Sequence, residues 1–221
     1  MQMNKTVLVL SGGMDSVTLL YRLIDFGHEI FPITFDYGQR HVKEIEAARN
    51  FCDKFGLPHK VVDVSSLRDV LGGSSLTDDI AVPDGHYAEE SMRITVVPNR
   101  NLIMLSIAWG YATSIGAYNV ATAVHAGDHF IYPDCRPEFI KSAEQTLRLA
   151  VEGMGDTPRI LFTPYLNFSK RDIAEQGRAL EVPYEDTWTC YKGGDIHCGL
   201  CGSCTERKEA LNGFDPTEYA A

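Results

Sequence analysis

The sequence predicts an α/β fold: a parallel sheet covered by helices, with a small metal-binding tail at the C-terminal end. Short apolar runs alternate with helical patterns in the order strand, helix, strand, helix, strand, which implies right-handed crossovers between parallel strands. The first apolar run stops abruptly at Ser11-Gly12-Gly13 with a helix starting just beyond it, the layout of a ligand-binding sheet edge. Four of the six cysteines, Cys190, Cys198, Cys201 and Cys204, crowd into a glycine-rich stretch near the end, while Cys52 and Cys135 stand alone.

Taken in order, Val7-Leu8-Val9-Leu10 is apolar without alternation, as in a strand buried on both faces. Gly12 and Gly13 allow a tight turn, Asp15 or Ser16 can cap the next helix, and Val17, Leu19, Leu20, Leu23 and Ile24 give it one broad apolar face. Residues 29–35 read as the second strand and 42–55 as the second helix, stopped by Gly56-Leu57-Pro58. The third strand spans 59–64. Residues 72–92 break the pattern with glycines, prolines and acidic residues; the expectation is a mobile surface loop, either a lid or a solvated insertion. The helix predicted at 102–116 carries few charges and is expected to be buried, a homodimer interface being one way to bury it. A strand at 119–124 delivers His125-Ala126-Gly127-Asp128-His129 at its carboxyl end, where open parallel sheets bind ligands. Pro137 opens a helix running to about 153, residues 159–162 form the last strand, and Ser169-Lys170-Arg171-Asp172 reads as a capping box.

At 221 residues the chain suits one domain with a small appendage, and a 44% hydrophobic content is ample for a core. It shows no signal-peptide pattern and no apolar stretch of membrane-spanning length, so a cytoplasmic protein that does not engage a membrane is expected. A formal net charge of −10 with dispersed acidic residues argues against direct nucleic-acid binding and for a small-molecule substrate.

At the end of the first strand, free helix N–H groups coincide with the positive end of the helix dipole, and Ser11 and Ser16 add hydroxyls. A phosphate chain is the expected ligand. The loop lacks the lysine and second glycine of G-x-x-x-x-G-K-[ST], and it is not G-x-G-x-x-G. The string Ser11-Gly12-Gly13-Met14-Asp15-Ser16 resembles instead the pyrophosphate-binding loop of the ATP pyrophosphatase (PP-loop) family, whose members cleave ATP to AMP and pyrophosphate while adenylating a substrate. On that resemblance Leu8, Val9, Leu10, Ser11, Gly12, Gly13, Met14, Asp15, Ser16, Val17 and Thr18 form the ATP-binding stretch.

The spacing Cys190-x7-Cys198-x2-Cys201-x2-Cys204, with turns at Gly193, Gly194, Gly199 and Gly202, matches a closed tetrahedral site for one structural Zn2+. The C-x2-C-x2-C triplet also occurs in iron–sulfur ligation, and His197 is an alternative ligand. With every coordination position filled by protein, the metal is expected to fold a tail too short for a core of its own, not to activate water.

The PP-loop string, Asp36-Tyr37-Gly38-Gln39-Arg40-His41, Arg100-Asn101, the stretch from Gly127-Asp128 through Tyr132-Pro133-Asp134-Cys135-Arg136-Pro137-Glu138-Phe139, and the four-cysteine tail together resemble the 7-cyano-7-deazaguanine synthase family across nearly the whole chain. The resemblance implies an adenine-nucleotide α-hydrolase-like (Rossmann-like, HUP) domain over 1–185 and a zinc-binding tail over 186–221. It further implies a C–N bond-forming ligase of queuosine biosynthesis. ATP with Mg2+ adenylates 7-carboxy-7-deazaguanine, ammonia gives the amide, and a second ATP drives dehydration to the nitrile.

On the same resemblance Asp15, Ser16, Arg100 and Asp128 are candidate catalytic residues, with Asp15 or Asp128 placing Mg2+ on the phosphates. Arg40, Arg100 and Arg136 are candidates to neutralise phosphate or carboxylate charge, or else to form structural salt bridges. Asp134 is a candidate partner for the guanine-like edge, or a helix cap before Pro137; His125 and His129 are candidate proton carriers or structural histidines. Cys135 reads as a buried thiol. The alternatives are another PP-loop adenylating enzyme, such as a tRNA thiolase or amide synthetase, and a non-catalytic zinc- and nucleotide-binding module.

Overall fold

The structure is a computed structural model describing residues 5–87, 89–154 and 158–221, with the side chains of Asp128 and His129 outside the described set. Five strands, β1 (Lys5–Val9), β2 (Glu29–Asp36), β3 (Lys60–Asp63), β4 (Asn119–Ala121) and β5 (Ile160–Phe162), pair in the order β3-β2-β1-β4-β5. All four pairings are parallel, with Val7 opposite Phe31 on one side and Val120 on the other. The helices are α1 (Met14–Asp25), α2 (Lys43–Phe55), α3 (Arg100–Ile115), α4 (Pro137–Ala150), α5 (Lys170–Ala179) and α6 (Gly202–Ala210).

The unalternating apolar run of β1 is explained by two cores, one on each face of the sheet. Val7 packs with Trp109, Ile140 and Leu147 under α3 and α4, while Leu8 packs with Val17, Leu20, Phe51 and Ile173 under α1, α2 and α5. Each such fully buried aliphatic contributes about 1.5–3 kcal/mol relative to an exposed one. Successive strands extend from β1 toward β3 on one side and from β4 toward β5 on the other. The winding therefore reverses between β1 and β4, and the crevice at their carboxyl ends is where this architecture binds ligands.

Several expectations change. No side chain caps α1: it starts at Met14 with Gly13 as N-cap, rather than after a cap at Asp15 or Ser16. β4 ends at Ala121 because residues 122–124 leave the sheet to line the crevice. Helix α3 begins at Arg100 and is not buried all round, since Ser106, Gly110 and Ser114 are exposed along one stripe. Residues 72–92 are not a merely solvated insertion, because part of the segment is anchored in the fold. Leu76 is fully buried against Tyr37 and Val97, its carbonyl accepts the Arg40 N–H at 3.0 Å, and Ser74, Ser75 and Thr77 are buried beside it. One apolar anchor without a periodic neighbour left this burial invisible in the pattern.

The tail carries a helix, α6, that the glycine-rich sequence did not suggest. Its Ala210 and the following Leu211 enter the same core as Leu8 and Ile173. Arg207, fully buried, donates to the Thr187 and Thr189 hydroxyls at 2.8 and 2.9 Å, to the Tyr184 carbonyl at 2.5 Å and to the Thr217 hydroxyl at 2.8 Å. It thereby holds the 184–189 segment, whose Trp188 N–H donates to the Gly12 carbonyl at 3.0 Å. No described helix is long and apolar enough to cross a membrane.

Candidate active site

The loop after β1 is tied by its own serines. The Ser16 hydroxyl donates to the Gly13 carbonyl at 3.0 Å and accepts from the Ser11 N–H at 3.2 Å, and the two serine hydroxyls lie 3.1 Å apart. Gly12, at φ +87°, packs so closely on α2 that a Cβ there would lie 2.1 Å from the Glu44 carbonyl oxygen. Because Gly13 offers no capping side chain, the first-turn N–H groups of α1 face the crevice without a competing acceptor from the cap. A phosphate is the natural occupant of such a helix start.

The crevice encloses a cavity of about 230 Å³. Its floor is Val9, Ser11, Gly13, Met14, Asp15 and Ser16; its walls are Tyr37, His41 and Glu44 on one side and Thr122, Ala123 and Val124 on the other, with Trp188, Thr189 and Tyr191 of the tail across the top. Part of the expected ATP-binding stretch lies outside the cavity lining: Leu8, Leu10, Val17 and Thr18 are fully buried, and Thr18 donates to the Met14 carbonyl at 2.7 Å. They support the loop and do not line the cavity.

Asp15 is the centre of a charged cluster drawn from four elements. The Lys170 ammonium at the start of α5 lies 3.2 Å from Asp15 and 2.5 Å from Glu206 of α6, and His125 lies 3.7 Å from Asp15. Among the described residues Asp15 Oδ1 is buried with no hydrogen-bond partner. An acceptor left in this state fits a site whose cation or proton donor arrives with the ligand. Lys170 reaches the cluster because the predicted capping box forms: Ser169 Oγ accepts from Asp172 N–H at 3.2 Å and Asp172 accepts from Ser169 N–H at 2.8 Å.

Of the three candidate arginines, Arg100 lines the cavity, its guanidinium 5.7 Å from the centre of the Tyr37 ring and 3.4 Å from the Tyr37 hydroxyl. Burial works against its charge, but Tyr37, Tyr132, Tyr191 and Asp134 around it outweigh that and hold the guanidinium protonated. Burial likewise pushes the Tyr37 hydroxyl well above the usual tyrosine range. Arg40 points elsewhere, donating to the Asp78 carbonyl at 2.6 and 3.1 Å and pairing with Asp79 at 3.2 Å. Arg136 is the exposed N-cap residue of α4. Asp134 caps a helix, but it is α3: its carboxylate accepts the Asn101 N–H at 3.1 Å. Cys135 is buried on the cavity wall, where its sulfur accepts from Asn101 at 3.3 Å. The side chains of Asp128 and His129 lie outside the described residues, in the turn Ala126–Phe130.

The string at 36–41 forms a rigid corner of the wall. Gln39 accepts from the Tyr37 N–H at 2.8 Å and donates to Phe35 O and to Glu44, while His41, buried, lies 3.3 Å from the Glu44 carboxylate. Sequence reasoning gave no role to Lys170, Glu206 or Glu44. Lys170 stood in plain view inside the capping box, whereas Glu206 depended on a helix that was not anticipated.

The four tail sulfurs, of Cys190, Cys198, Cys201 and Cys204, lie within 4.8 Å of one another, a spacing suited to one metal ion. Backbone N–H groups of Leu200 and Cys201 donate to the Cys198 sulfur at 3.4 and 3.3 Å, and that of Cys198 to the Cys190 sulfur at 3.4 Å. These donors favour thiolates. Hydrogen bonds from Cys201 and Cys204 push the Cys190 thiol far down, and Cys201 is itself pushed up to about 12 as a donor to Cys190. Four sulfurs gathered this closely, with backbone N–H groups aimed at them, fit a site completed by a cation. His197 is not in the cluster. Its Nε2 accepts the Thr189 N–H at 3.1 Å, its ring lies tilted 4.5 Å from that of Trp188, and burial lowers its pKa to about 4, so it is a neutral structural acceptor.

Comparison with known proteins places this geometry. The profile of a family described as queuosine biosynthesis protein QueC matches residues 5–215. A 7-cyano-7-deazaguanine synthase of Pseudoalteromonas translucida is 50% identical over 218 residues, covering 97% of this chain and 98% of its own. One of Sinorhizobium fredii is 53% identical over 219 residues, covering 97% and 92%. Among solved structures, NMN synthetase from Francisella tularensis aligns over 97% of this chain and 79% of its own with a TM-score of 0.52 and 15% identity, a likeness of fold alone.

Proposed function

The chain belongs to the queuosine biosynthesis protein QueC family, and from that premise we infer that it is an enzyme producing 7-cyano-7-deazaguanine from 7-carboxy-7-deazaguanine, ammonia and ATP. The observation that carries the reading is the near-complete coverage by synthases of that name at 50–53% identity, joined to a helix start that opens on a buried Asp15 oxygen with no hydrogen-bond partner among the described residues.

A carboxylate is a poor electrophile because attack on it would have to expel an oxide. Its oxygen therefore attacks the α-phosphorus of ATP, the bond to the β-phosphate breaks, and pyrophosphate departs onto the N–H groups at the start of α1. Asp15 would hold Mg2+, which when bound would offset phosphate charge, and Lys170 and Arg100 offset the charge that gathers on the transferring group. Ammonia then forms the C–N bond as the C–O bond to AMP breaks. A second ATP adenylates the amide oxygen, and loss of AMP and the remaining N–H protons leaves the nitrile. Glu206 keeps Lys170 aimed at Asp15.

The tail sulfurs hold Zn2+, which supplies folding energy to a short segment and no chemistry to the substrate. With ATP as cosubstrate, the enzyme works in the cytoplasm. The test is to incubate the purified protein with Mg-ATP, ammonium and 7-carboxy-7-deazaguanine and to read products by mass. Nitrile, AMP and pyrophosphate are expected; absence of both nitrile and AMP from metal-loaded protein would sink the reading.

A further inference from the structure

The crevice draws its lining from both faces of the sheet. Its phosphate end is the start of α1, which packs on one face with α2 and α5; another of its walls is the start of α3, which packs on the opposite face with α4. Displacement at a phosphorus centre runs in line, with the attacking and leaving oxygens on opposite sides. Pyrophosphate leaving toward α1 therefore sets the attacking carboxylate, and the heterocycle that carries it, toward α3.

The α3 wall is made by Arg100, Asn101 and Met104, with Cys135 beside them. Arg100 can only donate, Met104 is apolar, and the Cys135 sulfur already accepts from Asn101. The Asn101 amide is pinned. Its Nδ2 donates to the Asp134 carbonyl at 3.1 Å and to the Cys135 sulfur at 3.3 Å. A carbonyl oxygen only accepts, so the amide nitrogen has to face it, and this fixes which way round the amide lies. Oδ1, at the other corner of the same amide, makes no hydrogen bond among the described residues. It is an oriented acceptor on a wall whose other side chains offer donors or apolar surface.

We propose that Asn101 is a specificity-determining residue whose Oδ1 accepts from the ring N–H and the adjacent exocyclic amine of the deazaguanine. These two donors lie side by side at the end of the bicycle remote from the carboxylate, where one oxygen reaches both. An analogue short of a donor leaves Oδ1 desolvated and poorly paired, and that cost is what lets a site reject it. The proposal rests on the synthase reading above.

The probe is 7-carboxy-7-deazahypoxanthine, which keeps the carboxylate, the oxo group and the ring N–H but lacks the amine. Wild type is expected to release AMP from it with a kcat/KM at least about tenfold below that for 7-carboxy-7-deazaguanine. In Asn101→Ala that ratio is expected to fall below about threefold, since the amine contact is lost for one compound and absent for the other, while the KM for ATP stays within about twofold of wild type. A merely structural role lowers both compounds alike and leaves the ratio standing, which overturns the proposal. A raised ATP KM with the ratio kept overturns it too, because Asn101 then reads the nucleotide. If Asn101→Ala does not fold, equal use of the two compounds by wild type overturns the proposal without any variant. Release of AMP from neither compound by wild type overturns the synthase reading instead.

Discussion

Asp15 and Lys170 have opposite histories. Asp15 was legible because it belongs to a six-residue string with a phosphate-loop chemistry, and the structure adds that one of its oxygens is buried without a partner. Lys170 was read as a helix-start residue, and only the packing of α5 beside the loop brings it within 3.2 Å of Asp15. Asp15→Ala is expected to lower AMP formation at least a hundredfold while the tail keeps its metal, as measured by AMP release and metal content on the same sample. Lys170→Gln leaves two carboxylates facing each other without their cation. It is expected to cost about 3–5 kcal/mol of stability as well as activity, which urea unfolding would measure. Arg40 and Asp134 show why residue type is a weaker guide: an arginine and an aspartate at a ligand edge found backbone partners at Asp78 and Asn101 instead.

The strand–turn–helix unit at the site works because Gly12 has no side chain. Its φ of +87° and the 2.1 Å approach of a Cβ to the Glu44 carbonyl mean that the turn and α2 cannot both keep their places around an alanine. Gly12→Ala is expected to destabilise the protein by about 3 kcal/mol, through strain plus overpacking, and to raise the KM for ATP, since the loop must move away from α2. A chemical denaturation midpoint and an ATP titration check the two halves of that statement. Long, periodic elements such as α1, α2 and α4 were predicted close to their observed bounds. The short strands β3 and β5 were also read within a residue of their observed bounds, but α6 was missed: it is a short helix among glycines, and its burial of Glu206 and Arg207 contradicts what charged residues in a polar tail suggest.

At the scale of the molecule, the tail and the crevice proposed to bind the nucleotide are one unit. Cys201 is the N-cap of α6 and Cys204 lies in its first turn, so the ligand cluster fixes the helix that delivers Glu206 to Lys170 and Arg207 to the segment over the loop. Replacing Cys204 with serine, or removing the metal with a chelator, is expected to unfold residues 186–221 while the sheet persists, and to reduce AMP formation more than tenfold. Limited proteolysis locates the first effect, and metal analysis before treatment decides the ion: zinc is expected, and iron with acid-labile sulfide would overturn that assignment.

From its residues alone the chain determined the parallel α/β architecture, the glycine turn at the end of the first strand and the gathering of four cysteines, because each rests on local chemistry: apolar runs, glycines at a strand end, cysteines at ligand spacing. Tertiary structure alone decided what surrounds them. The meeting of Asp15, His125, Lys170 and Glu206 and the anchoring of residues 74–77 beside Tyr37 both join residues far apart in sequence. No local pattern encodes such a meeting, since it depends on how α5 and α6 pack against the first loop.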